Sequence, residues 1–327
     1  MRIFLACAFI LLFNSNFFAQ DSVSFFAPSK DFNKKKFAIA AGTQAIGYGG
    51  SLVYLSAAWY KDYNHTSFHS FNDGPEWLQM DKAGHFITGW YLARVNTDMY
   101  QWSGMPRDKA AFYGAAGSLL YMTGIEMLDG FSEGWGFSWR DMGANTLGCG
   151  LFLVQKLSER YQSGHIYKKA EESYSYHKMR GFFYGCSIKF SFRQTVFPDF
   201  RSELLGNNLQ EQIIKDYNGQ TYWLSQNISS FMKTETKFPH WLNIAFGYGA
   251  DGMISGRPGY AYTYPNGNTV EFERYRQYYF SLDIDLSRIK TKSHFLKAIA
   301  ETFCFIKIPA PALEWNKYGM KFHPLYY

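Results

Sequence analysis

The sequence predicts an α+β protein, with an N-terminal helical bundle of about four apolar helices and a C-terminal antiparallel, aromatic-rich sheet. Three observations predict it. Before about residue 165 the chain runs in long apolar segments whose few polar residues recur three or four apart. That spacing aligns side chains on one helix face. After about residue 178 the pattern alternates. Tyr278, Phe280, Leu282, Ile284 and Leu286 share one face of a strand, and Tyr279, Ser281, Asp283, Asp285 and Ser287 share the other. Third, Asn266-Gly267 separates two short β-rich runs at 260–264 and 269–272, a hairpin signal.

Taken in order, residues 1–20 read as an export signal, with Arg2, an apolar stretch at 3–13 and a polar exit at 14–20. The stretch is shorter than the ~20 residues a membrane span needs. Cys7 lies inside it, poorly placed for lipid attachment. The domain reading is then 21–165 helical and 166–327 β-rich. Residues 37–59 carry no charge, and that length is enough to cross a bilayer. Ala38-x-x-x-Gly42 and Ala45-x-x-x-Gly49 predict close helix contact there. Further helices are expected at 81–102, 107–128 and 139–161, with Ala110, Gly114 and Ser118 stacked on one face and Gly130 as a terminator. Arg94, Asp98 and the polar turn after Val154 make these poor independent spans. Strands are expected at 181–192 and 241–248, and a helix at 202–216. These strands are too few for a closed outer-membrane barrel.

Composition narrows the setting. Aromatics are 20% of the 327 residues and charged residues 18%, against a usual charged share of about 25%. That bias suits a membrane partner, since Tyr and Trp favour the interface. The net charge of +6 is dispersed, and Lys34-Lys35-Lys36 is too short a run for nucleic acid. It suits a membrane surface instead. Cys149, Cys186 and Cys304 are odd in number and lack metal-ligand spacing, which argues against a disulfide framework and a zinc ribbon. A Cys186–Cys304 bridge and buried free thiols both stay open.

Three polar clusters stand out in the apolar half: Asp81, Lys82 and His85; Glu126 and Asp129; Ser138, Asp141 and Asn145. Buried carboxylates need a partner, a metal or water, so the clusters are expected to converge. His85, Glu126, Asp129 and Asp141 are the candidate catalytic residues. Asp81, Lys82, Ser138 and Asn145 are the candidate binding residues. His85, Glu126 and Asp141 are the candidate ligands of a divalent metal. Glu126 and Asp129 oppose the dipole at the end of their helix, which calls for a cation. Simpler roles compete: Asp81 as an N-cap, Lys82 as a solvated side chain, Arg140 as the ion-pair partner of Glu126, and Ser138 with Asp141 as a capping box. His65 and His69 read as a surface pair. No nucleophile elbow, zincin motif or phosphate loop occurs.

At Asp81-Lys82-Ala83-Gly84-His85-Phe86, Glu126-Met127-Leu128-Asp129-Gly130 and residues 136–148 the chain resembles the YfiM-like family of bacterial envelope proteins of unknown function. That resemblance covers roughly 35–160 and implies a periplasmic lipoprotein. The order of the clusters is also similar, more distantly, to VanZ-like membrane proteins. Residues 215–225 and 247–253 resemble extended members found in Bacteroidota. The reading is an exported protein at the periplasmic side of the outer membrane, with the inner membrane as the alternative. A membrane or envelope lipid is the expected partner, other envelope proteins are the alternative, and nucleic acid is not expected. Three functions compete: a structural or assembly factor with a buried His/carboxylate cluster, a hydrolase or transferase acting on an envelope lipid or cell-wall precursor, and an envelope-ligand binding module.

Overall fold

The computed structural model describes residues 25–57, 64–158, 185–232 and 238–327. The expected export signal lies outside the described residues. The fold is α+β, with helices first and an antiparallel sheet after them.

Among the described residues four helices build the first half: α1 (Lys34–Leu55), α2 (Met80–Trp102), α3 (Arg107–Gly130) and α4 (Trp139–Ser158). Side chains begin two of them. Asn33 accepts from the Lys35 and Lys36 amides, and Ser138 Oγ accepts from the Asp141 amide at 3.1 Å. Small residues let α2, α3 and α4 approach closely. A Cβ on Gly114 would lie 2.2 Å from Thr97 Oγ1, and one on Gly148 would lie 2.0 Å from the Phe86 carbonyl oxygen. Ala110, Gly114 and Ser118 are all buried, as their spacing predicts.

Helix α1 departs from its expectation twice. Gly42 and Gly49 face open space, so their spacing makes no close helix contact. The helix attaches instead through polar aromatic groups, with Tyr48 donating to Asn96 Oδ1 at 2.9 Å and stacking on Tyr121. Among the described residues no helix is long and apolar enough to cross a membrane, which corrects the bilayer-length reading of 37–59. Thr43, Gln44 and four glycines between 42 and 50 dilute its hydropathy. It still exposes Ile39, Ile46 and Val53.

The second half is a six-stranded antiparallel sheet of order β1-β2-β3-β6-β7-β8. Its strands are β1 (Cys186–Phe192), β2 (Gln220–Asn227), β3 (Leu242–Asp251), β6 (Tyr275–Ile284), β7 (Ala310–Asn316) and β8 (Gly319–Tyr326). The expected Asn-Gly hairpin forms apart from it as β4 (Ala261–Thr263) and β5 (Thr269–Glu271), with Gly267 at φ 83°. The helix expected at 202–216 is two short ones, α5 (Ser202–Leu205) and α6 (Leu209–Lys215). They are separated by Gly206 at φ 105°, after which Asn208 caps the second. Helix α7 (His294–Thr302) precedes β7. The sheet curls: Tyr326 at its far end meets Thr221 of β2 at 2.9 Å between hydroxyls, and a bridge from Phe190 to Ile306 covers the β1 edge.

One face of β1 and β2 packs on the bundle, where Ile188 and Tyr222 join Met80, Trp90 and Phe152 in a shared core. The opposite, concave face encloses Trp223, Tyr279 and Tyr326. Cys149, Cys186 and Cys304 are buried free thiols, so the bridge left open between the last two is absent.

Candidate functional site

Helix α2 starts from an unusual turn. Trp77, Leu78 and Gln79 have φ of 48°, 50° and 65°, three consecutive left-handed residues without a glycine. Such residues cost of order 1–3 kcal/mol each and persist only where the surroundings enforce them. Here the sheet half enforces them. The Trp77 amide donates to the Gly256 carbonyl at 2.8 Å, Tyr248 donates to the Leu78 carbonyl, and Arg276 donates to Gln79 Oε1 at 2.6 Å. This turn sets the direction in which α2 presents Asp81, Lys82 and His85.

Lys82 is the hub of the site. Its ammonium donates to Asp73, to Asp81 Oδ2 at 2.7 Å and to Asp141 Oδ2 at 3.2 Å. Asp73 also accepts from Ser138 Oγ at 2.8 Å. The four groups join α2, the start of α4 and the loop before α2. Burial opposes the charge on Lys82, but Asp81 and Asp141 outweigh it and raise its pKa, so it stays charged.

The second part lies one turn along α2. His85 Nδ1 donates to Asn145 Oδ1 at 3.1 Å and lies 3.4 Å from Glu126 Oε1. Glu126 Oε2 accepts from the Ser138 amide at 3.2 Å. Because Nδ1 is the donor, the neutral ring keeps its free lone pair on Nε2. Glu126 is only 1% exposed. Burial first, then the charges of Asp141 and Asp129, push its carboxyl up to about 9. Asp141 is pushed up to about 7, again by burial first. Its hydrogen bond to Asp73 also raises it, whereas Asp73, despite its own burial, is lowered by the bonds from Asp141 and Lys82. The two carboxyls thus shift in opposite directions, Asp141 upward and Asp73 downward.

The site carries more negative than positive charge. Asp73, Asp81, Glu126 and Asp141 face one ammonium and one imidazole. Three buried side-chain atoms make no hydrogen bond: Glu126 Oε1, Asp141 Oδ1 (3.0 Å from Lys82 Nζ) and Asn145 Nδ2. Ligand atoms of His85, Glu126 and Asp141 all lie within 4.8 Å of one another, and so do those of Asp73, Asp81 and Asp141. One imidazole with two carboxylates is a donor set for a divalent transition metal or zinc.

The expected convergence of His85, Glu126 and Asp141 is found, with Lys82, Asp81, Ser138 and Asn145 around them. Asp129 adds its charge to the field at Glu126 and lies outside both groups of ligand atoms. Four simpler roles resolve differently. Asp81 is not the N-cap of α2, because Gln79 holds that position. Lys82 is not a solvated side chain. Arg140 does not neutralise Glu126: its guanidinium lies against Gly74, where a Cβ would sit 1.6 Å from Nη1. Ser138 does cap α4, and its hydroxyl serves the site as well. His69 Nε2 bonds the Trp135 carbonyl at 2.7 Å and pins a loop, while His65 is exposed. Asp73 is a site residue that the spacing argument missed. It stands in Asn72-Asp73-Gly74-Pro75, where an Asp reads as turn chemistry.

The fold and site define an α+β protein with a carboxylate-rich centre inside its helical bundle. Residues 69–157 match the model of a family described as predicted periplasmic lipoprotein (DUF2279), over a little more than a quarter of the chain. The match contains every residue of the centre. Neither a curated protein nor a solved structure matches the chain.

Proposed function

We propose that this is an exported envelope protein whose bundle binds one divalent cation through His85, Glu126 and Asp141. It uses that cation in hydrolysis or group transfer on an envelope lipid or cell-wall precursor. The observation that carries this reading is the uncompensated buried charge: two raised carboxyls and unbonded carboxylate oxygens around one imidazole. A bound cation supplies Lewis acidity and an activated water. Asn145 orients His85 and fixes its tautomer. Lys82 balances Asp73 and Asp81 beside the three ligands.

Metal analysis of purified full-length protein tests the reading. One equivalent of zinc, manganese or iron is expected in the wild type and less than about a tenth of that in Glu126→Gln, since a ligand is lost. A metal content that is zero in both, after growth and purification without chelators, would sink it.

A second reading has its own support. Lys82 ties three carboxylates from separate segments together. That arrangement suits an assembly factor whose cluster only fixes helix packing. It predicts that Glu126→Gln leaves complementation of a deletion strain intact.

A further inference from the structure

The exposed part of the sheet has the polarity opposite to that of a sheet in water. In β6, Tyr279, Ser281 and Asp283 are buried while Tyr278, Phe280 and Leu282 are exposed. The register extends the exposed face over four strands, and Phe246, Phe280, Leu313 and Phe322 form one continuous row. Each of these four is more than 40% exposed. The row beside it ends in Trp315, 70% exposed, and Met320, 77% exposed. No Asp, Glu, Lys or Arg stands in either row. The charges of the region are turned inward instead. Lys189 Nζ meets Asp283 Oδ2 at 2.7 Å, and Lys307 Nζ bonds the carbonyls of Leu282 and Ile308, with neither lysine side chain exposed.

A half-solvated antiparallel sheet places apolar residues inside and polar residues outside. A sheet in hydrocarbon does the reverse, with aromatic residues at both ends of the apolar band. Along β3 this face runs from Leu242 to Tyr248, about 20 Å at the usual rise per residue, with Phe246 exposed, Tyr248 half-buried at one end and Trp241 exposed just before the other. The register position after Tyr278 is Arg276, which turns to Gln79 of the bundle and marks a polar limit.

We propose that this face of β3, β6, β7 and β8 lies against the hydrocarbon of a lipid bilayer. Lipid fits better than a second copy or another protein because the Phe246–Phe280–Leu313–Phe322 row carries no hydrogen-bonding side chain, and the amphipathic Tyr278 and Trp315 stand together in the row at one side of it, as aromatic residues do at the border of an apolar band. The face is also far more continuous than scattered surface apolar residues. The assignment rests on the sheet and is independent of the cation site.

The test uses full-length protein reconstituted into phosphatidylethanolamine–phosphatidylglycerol vesicles with brominated acyl chains. Fluorescence is compared between wild type and Trp315→Phe. The component lost in Trp315→Phe is expected to be quenched about twofold by brominated relative to plain chains, as for a Trp within an apolar band. Separately, Phe280→Asp combined with Leu313→Asp is expected to lower recovery with floated vesicles about tenfold, because charge on a lipid face is costly. Near-ultraviolet circular dichroism in detergent checks that the double variant folds, and if it does not, the Trp315 quenching decides. Unquenched Trp315 overturns the proposal. So does a wild-type protein that stays monodisperse in detergent-free buffer, either as a monomer or as a dimer split by Phe280→Asp. The dimer would assign the face to a second copy.

Discussion

Both halves of the molecule bury charge, but they treat it differently. In the sheet, Asp283 faces Lys189 at 2.7 Å and Lys307 at 4.0 Å, and both ammonium groups also donate to main-chain carbonyls. Cations there are plentiful and well bonded. In the bundle, four carboxylates share Lys82 and His85, and the two carboxyls nearest His85 are pushed upward. The difference separates buried charge that holds a fold from buried charge that awaits a ligand. A network whose one carboxylate already meets two ammonium groups gains little from a further cation. An undercompensated one takes up protons or a cation.

The largest effect should come from breaking the network around Asp283. Asp283→Leu strands two buried ammonium groups, and a loss of about 3–5 kcal/mol in denaturant unfolding, or no folded protein, is expected. Lys82→Met is the matching change in the bundle. It leaves Asp73, Asp81 and Asp141 without their cation and should cost about 3 kcal/mol, part of which protonation of Asp141 recovers. If Lys82→Met proved harmless while metal was retained, the contrast between the halves would fail.

Glu126→Gln should behave in the opposite way. It replaces a carboxyl that carries a proton at neutral pH in the metal-free protein by a neutral group of the same shape, so stability at neutral pH should hold within about 1 kcal/mol while metal retention and complementation are lost. A strongly destabilised Glu126→Gln would move the cluster to the structural side of the comparison.

The same conflict fixes a pH dependence. The Glu126 carboxyl is raised from 4.5 to about 9 in the folded protein. Between those values this group binds more protons in the folded than in the unfolded state, so its contribution to stability is greatest below about pH 4.5 and declines as pH rises towards 9. Thermal unfolding of chelator-treated wild type should show this decline, and Glu126→Gln should show a shallower one, with the Asp141 contribution remaining up to about 7. Added metal should flatten the wild-type curve.

The smallest effect concerns the join between the halves. Tyr248→Phe removes one donor to the Leu78 carbonyl and should cost about 1 kcal/mol. If the turn orients the site, metal affinity should fall with it, whereas a purely local loss would leave affinity unchanged.

Much of the bundle was legible in the sequence because its signals are local. Spacings of three and four placed His85, Glu126 and Asp141 on inward faces, and small residues marked the α2–α3 seam. What escaped depended on distant parts of the chain. Lys82 looks solvated until Asp73 and Asp141 arrive beside it, and Asp73 looks like a turn residue until Ser138 and Lys82 draw it in. Strands β2, β7 and β8 were not foreseen. Strand β2 is buried on both faces and shows no alternation, and β7 buries Ala312 and Glu314 while exposing Leu313 and Trp315, so alternation alone did not reveal which side was the core. The motif of small residues in α1 was read as a contact, but spacing says only that an approach is open, not that a neighbour takes it.

The left-handed turn at 77–79 has a consequence in time. Its restraints come from Gly256, Tyr248 and Arg276, and the bonds to Leu78 and Gln79 span 170 and 197 positions. A chain delivered from its N-terminus presents the helices long before it presents these partners. Until they arrive, the unfavourable turn has nothing to hold it, and α2 is free to start in another direction. The centre is thus encoded early and completed late, so a chain cut short before the 240s would carry all of its ligands and still lack a finished site.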